Sequence, residues 1–183
     1  MLQEFDGKRP RVHETAFVHP SAVVIGDVKI GEHSSVWPGA VIRGDFGRIR
    51  IGNYTCVQDN AVIHAADVYG GKTKYLRVKV GNYVVIGHGA LLHGCSVADN
   101  CIVGAGSIVF NGARVEKGSL VGMGAVVLAD VRVPPRTIVI GIPARPLRKL
   151  TDEEIEKIRI QAENYARLAE MYKSSGLNKN VRF

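Results

Sequence analysis

Residues 97–133 read VADNCIVGAGSIVFNGARVEKGSLVGMGAVVLADVRV. An aliphatic residue returns every six positions: Val97, Val103, Val109, Val115, Val121, Val127 and Val133. Four residues past most of these stands a small one: Ser107, Ala113, Ser119, Ala125 and Thr137. A helix would repeat every 3.6 residues and a plain strand every two, so neither alone sustains this phase. A period of six is the signature of a parallel β-helix, in which each hexad forms one short strand and one corner. Three hexads close one triangular coil. The aliphatic side chain points into the shaft, and the small one fits near a corner.

The pattern extends outward in both directions. Toward the N-terminus the series is Val12, Val18, Val24, Ile30, Val36 and Ile42, then Ile51, Val57 and Ile63, then Val80, Ile86 and Leu92. A one-residue slip joins Leu92 to Val97. The small position is filled by Ala22, Ser34, Ala40, Thr55, Ala61, Ala90 and Ser96. Gly follows the aliphatic residue at Gly31, Gly52, Gly81, Gly87, Gly104 and Gly122, where it is expected to serve unusual corner dihedrals. Toward the C-terminus, Pro143 and Pro146 are expected to stop strand pairing. Thr151 and Glu154 then form a capping-box pattern. Ile155, Ile158, Ala162, Tyr165, Ala169 and Tyr172 make one apolar helical stripe, with Gly176 as its stop. The expected organisation is a β-helix domain over 1–146, a C-terminal helix over 147–176 packed on the shaft or on a neighbour, and a flexible tail over 177–183.

Composition narrows the function. The chain has 183 residues, a formal net charge of +7 and three cysteines, Cys56, Cys95 and Cys101. These form no C-x-x-C pair, so neither a disulfide framework nor a thiolate metal site is expected. Lys and Arg are spread along the chain, with a modest cluster at Arg145, Arg148 and Lys149 and no basic block interleaved with aromatics. Nucleic acid is therefore not an expected partner. No apolar run approaches the length of a membrane span, and residues 1–12 lack a signal-peptide layout. The expected location is the cytoplasm, with no membrane partner.

The histidines carry the chemistry. Positions three hexads apart lie one coil apart, about 4.8 Å. With "AADVYGGKTKYLRVK" taken as a loop inserted after His64, Leu92 sits above Ile63, and Ile63 above Ile42. Arg43, His64 and His93 then form one outward column. His88 stands on the preceding side of a corner, stacked over Asp59. In a threefold trimer it meets the His64/His93 pair of another chain, and three imidazoles make a zinc-type constellation. His13, His19 and His33 show no such pattern and read as surface residues.

"RGDFGRIRIG", "VQDNAVIH" and "IGHGALLHGC" together resemble the γ-class carbonic anhydrase family over nearly the whole chain. "RGDFGRI" is similar to the branch that includes proteins of phenylacetate and carnitine metabolism. The resemblance implies a left-handed β-helix and a homotrimer with metal between subunits. It implies His64 and His93 as ligands from one chain and His88 from the next. The metal it implies is zinc, with iron or cobalt as alternatives. It implies an inter-subunit ion pair between Arg43 and Asp45, and a site lined by Gln58, Asp59 and Tyr165. The implied reaction is hydration of carbon dioxide to bicarbonate by a hydroxide formed at the metal. Two departures concern proton export: Phe46 replaces a family glutamate, and Asp67 is the only carboxylate in the loop where the family carries an acidic shuttle. A hexapeptide acyltransferase, a thioester-acting relative and a non-enzymatic metal-bound trimer are the competing readings.

Overall fold

The computed structural model describes residues 1–66 and 76–176, so Asp67 and the tail over 177–183 lie outside the described residues. The chain winds into a parallel β-helix of about seven turns with one C-terminal helix among the described residues, as the period of six predicts and as in left-handed hexapeptide β-helices. Successive coils pair in the predicted register: Ile42 with Ile63, Ile63 with Leu92, Val57 with Ile86, and Ile51 with Val80. The inserted segment is shorter than the fifteen residues expected: Ala65 still packs in the core and Val78–Val80 already stacks on Ile49–Ile51, while Ala66 and Leu76 bridge across the base of the insertion.

The aliphatic columns form the core. Val24, Val36, Ile42, Val57, Ile63, Ile86, Leu92, Val103, Val109, Val121 and Val127 are completely buried. Each such side chain contributes about 1.5–3 kcal/mol relative to exposure. The small residues fill the corners, and Cys101, fully buried, takes one of these positions. Burial pushes the thiols of Cys56, Cys95 and Cys101 up to about 12. They remain neutral and serve as small hydrophobes.

Three local expectations are corrected. The slip lies one residue earlier than the count suggests: Cys95 is buried, whereas Ser96 faces outward between Lys79 and Arg114. Second, Gly31, Gly52, Gly81, Gly87, Gly104 and Gly122 do not supply positive φ. That conformation falls later in the hexad, at Gly39, Gly89, Gly106 and Gly124, and also at His33, Tyr54 and Tyr83. The earlier glycines are there because the next coil passes too close for a side chain. A Cβ on Gly104 would lie 2.6 Å from the Met123 nitrogen. Gly104→Ala should therefore cost about 1–3 kcal/mol, read as a lower midpoint in denaturant. Third, Pro143 and Pro146 end the parallel stack but not the pairing. Arg145–Lys149 folds back antiparallel on Thr137–Ile140, with an irregularity at Ile138/Val139 facing Pro146. An edge strand with a bulge tolerates a residue that lacks an N–H.

The helix runs Asp152–Ser174 behind a complete Thr151/Glu154 capping box, and Gly176 follows it at positive φ. Ile158, Ala162, Ala166 and Ala169 are its buried side. It lies on the face built from Phe17–Val18, Ser35–Val36, Cys56–Val57 and Val85–Ile86. Trp37 packs there with Phe17, Cys56, Ala169 and Tyr165.

The other two faces carry contrasting outward columns. On the second, Val23, Val41, Val62, Leu91, Ile108 and Val126 stack in register. On the third, Arg11, Lys29, Arg50, Lys79, Ser96, Arg114 and Arg132 do so.

Candidate metal centre

Arg43, His64 and His93 occupy one column, paired coil to coil along the edge of the apolar second face. His64 is buried, and its Nδ1 lies 3.2 Å from Nε2 of His93. The other nitrogen of each ring is held by an oxygen. His64 Nε2 lies 3.0 Å from Asp45 Oδ1, and His93 Nδ1 lies 2.6 Å from Asn111 Oδ1. A carboxylate accepts only, so His64 carries its proton on Nε2. With Asn111 Oδ1 likewise accepting, His93 carries its proton on Nδ1. In these tautomers the two nitrogens that face each other at hydrogen-bonding distance both present lone pairs. That arrangement is repulsive by itself and becomes favourable around a cation.

His88 repeats the pattern around the corner. Its Nδ1 lies 2.9 Å from Asp59 Oδ2, which leaves Nε2 as the acceptor on a half-exposed ring. The stacking of His88 over Asp59 follows from the Val57–Ile86 register. Among the described residues, no group of three His, Cys, Asp or Glu side chains within one chain converges to hold an ion.

Gln58 joins this corner to the helix. Its Oε1 accepts from the His88 backbone N–H at 3.1 Å, and its Nε2 donates to the Tyr165 hydroxyl. Tyr165 packs edge-on to Trp37. Burial, helped by Cys56 and Asp59, pushes its phenol up, so it stays protonated.

Asp45 anchors the other side. Burial pushes its carboxyl up, but hydrogen bonds from the Phe46 N–H, Arg43 and His64 outweigh this and hold it below its ordinary value. The carboxylate is therefore charged at neutral pH, and this contact is lost only as pH falls through the carboxylate range. Burial lowers the His64 pKa, and Arg43 adds to this against the opposing pull of Asp45, so the ring is neutral at pH 7. Within one chain Arg43 pairs with its own Asp45.

Spacing alone brings together His64, His93 and Arg43, and separately His88 and Asp59. It misses Asn111, Phe110 and the contact of Phe46. Phe110 stacks on His93 at 5.4 Å, and the Phe46 ring lies 5.6 Å from His64. Phe110 occupies the slot next above His93 in the same column, so its place follows from the repeat once the slip is located. Asp67 lies outside the described residues. The remaining histidines have partners of their own: His13 with Thr15, His19 with Ser21, and His33 against the Tyr54 ring.

The coiled shaft and its matched histidines define a hexapeptide-repeat protein, and residues 9–44 match the family described as bacterial transferase hexapeptide (six repeats). The chain belongs to the γ-class carbonic anhydrase family. It is 43% identical over 153 residues to the "Probable carbonic anhydrase" of Methanocaldococcus jannaschii, covering 84% of this chain and 92% of that one. It is also 43% identical to "Gamma carbonic anhydrase 2, mitochondrial" of Arabidopsis thaliana, over 95% of this chain but only 62% of the relative's length. "Carnitine operon protein CaiE" of Escherichia coli is 36% identical, over 88% of this chain and 79% of that one. Among solved structures, a hexapeptide transferase family protein from Anaplasma phagocytophilum superposes with a TM-score of 0.87 at 38% identity, covering 94% and 98% of the two chains.

Proposed function

We propose that this protein is a homotrimeric, metal-dependent carbonic anhydrase that hydrates carbon dioxide to bicarbonate. His64 and His93 of one chain and His88 of the next would hold zinc, with iron or cobalt as alternatives. The observation that carries this reading is the facing pair of imidazole nitrogens, 3.2 Å apart, with the other nitrogen of each ring held by an oxygen. Two nitrogens about 2.0–2.1 Å from one tetrahedral zinc stand about 3.3–3.4 Å from each other. Holding the second nitrogen of each ring on Asp45, Asn111 or Asp59 is the usual outer support of a histidine metal site. The apolar second face, with Val62 and Leu91 at its centre, offers the surface a neighbouring subunit would cover.

A zinc ion held by three neutral imidazoles lowers the pKa of its water to about 7 and so supplies a nucleophile at neutral pH. The chain's own residues bind and orient around it. Gln58, fixed between the His88 N–H and Tyr165, keeps a second amide N–H and a second oxygen lone pair with which it would orient the attacking oxygen or the carbon dioxide. Asp59 holds the His88 ring. Phe46 and Phe110 flank the histidine pair and, once covered by a neighbouring subunit, would exclude water from that side. Arg43 and Asp45 would pair across the interface as well as within the chain. Stopped-flow hydration of carbon dioxide by the zinc-loaded trimer tests the proposal; full metal occupancy without hydration would refute it.

Asn111→Ala is expected to free the His93 ring and lower metal affinity by about 10- to 100-fold, measured by competition with a chromogenic chelator. Unchanged affinity would remove Asn111 from the site.

The similarity to a hexapeptide transferase family structure supports a second reading, acyl transfer from a coenzyme A thioester. Calorimetric titration with coenzyme A separates the two, because the carbonic anhydrase reading requires no thioester groove.

A further inference from the structure

We propose that the third face of the shaft carries a binding site for a phosphoryl group, centred on Ser96 between Lys79 and Arg114. Six of the seven stacked outward positions on this face are cations: Arg11, Lys29, Arg50, Lys79, Arg114 and Arg132, with Ser96 the exception. Residues that are far apart in sequence stand on neighbouring coils, and directly opposed like charges are destabilising. Part of this repulsion is met within the chain. Arg50 pairs with Asp27 at 2.9 Å, and Arg132 pairs with Glu116 at 2.7 Å.

Lys79 and Arg114 have no carboxylate partner among the described residues. Arg11 and Lys29 also lack one and line a smaller recess of about 260 Å³, but Glu32 stands in its wall and the two are directly stacked, whereas a short residue separates Lys79 from Arg114. Ser96 is short, so the two cations flank an opening two coils wide, about 9.6 Å. On one side the recess measures about 310 Å³ and is lined by Lys79, Ser96, Arg114 and Lys117. On the other it measures about 320 Å³ and reaches Arg77. Asp99 and Glu116 stand on the first wall, but both are engaged, Asp99 by the Asn82 N–H at 2.7 Å and Glu116 by Arg132. The Ser96 hydroxyl has no partner among the described residues.

A guanidinium fork, an ammonium and a free hydroxyl around one opening match the oxygens of a phosphoryl group. No aromatic ring lines either recess, and the apolar residues Val97, Val115 and Ala113 at their walls are buried in the shaft, so recognition rests on the anion rather than on a stacked base. The site stands on a different face from the histidine column and is independent of the proposed activity. Two recesses meeting at Ser96 would also accept two linked phosphoryl groups.

Anion binding to the folded state raises Tm by linkage. Wild-type protein is melted in sodium pyrophosphate, in inorganic phosphate and in sodium chloride at equal ionic strength. Pyrophosphate should raise Tm by a few degrees above chloride, with phosphate between. Ser96→Glu places a carboxylate between the two cations; it should raise Tm in chloride and abolish the pyrophosphate increment. Arg114→Gln should also abolish the increment, whereas Arg11→Gln, at the end of the column, should keep it in full. Vesicles of phosphatidylglycerol settle the source of the group: retention lost in Ser96→Glu assigns it to a lipid headgroup, and an increment without retention assigns it to a soluble ligand. An equal increment in wild type, Ser96→Glu and Arg114→Gln would overturn the site, as would no increment and no retention.

Discussion

His64→Ala and His88→Ala trimers are each expected to be metal-free, and to regain metal when their subunits are mixed. His64 and His93 face each other in one chain, whereas His88 points away across a corner with its free nitrogen outward. A site completed by the next subunit therefore needs an intact His64/His93 pair on one side of a junction and an intact His88 on the other. In a cyclic trimer containing both variants, one junction of the three meets that condition. Random mixing at equal amounts should then restore about a quarter of the wild-type metal content. Each single substitution removes one of three ligands, which should lower affinity well beyond the effect expected of Asn111→Ala. The measurement is metal per subunit after denaturation, refolding together and gel filtration. Verified mixed trimers without metal would refute the shared site, and a stable metal-loaded monomer in sedimentation would do the same.

Carbon dioxide hydration is expected to be slow at low buffer concentration and to accelerate as an imidazole buffer is raised. The side chains around the histidine pair are poor proton carriers. Phe46 and Phe110 flank the rings, and Asp45 is committed to Arg43 and His64. Each turnover must export one proton, and a small diffusing base can do so where no side chain is placed to help. Phe46→Glu, which puts a carboxylate beside His64, should raise the rate at low buffer by up to about 10²-fold and reduce the buffer dependence. Asp67→Ala should lower the unbuffered rate if Asp67 carries protons. Fast turnover that ignores buffer concentration would refute this account of the rate.

How far the candidate site can be read from the sequence depends on what each contact requires. The His64/His93 column needs only a count of hexads and the removal of one insertion, because register in a parallel stack is set by the inward aliphatic residue. Asn111 is not legible in that way. It reaches His93 from another coil, and its role depends on which nitrogen of the ring it holds. Gln58 and Tyr165 lie 107 positions apart, and only the docking of the helix on the first face brings them together.

The sequence by itself determined the β-helix, its inward columns, the capped C-terminal helix and the convergence of two histidines with a third displaced. All of these follow from periodicity, which is a local property repeated many times. The tertiary structure alone decided that the slip spares Cys95 and turns Ser96 outward, that the glycines after the aliphatic residues serve close approach rather than positive φ, and that the chain pairs once more beyond Pro143. It also decided that basic residues scattered through the sequence stand in single file. Side chains on successive coils are neighbours in space but 17 to 29 residues apart in the chain. Their charges and hydrogen bonds meet only after the coil has closed, and no window along the sequence contains them both.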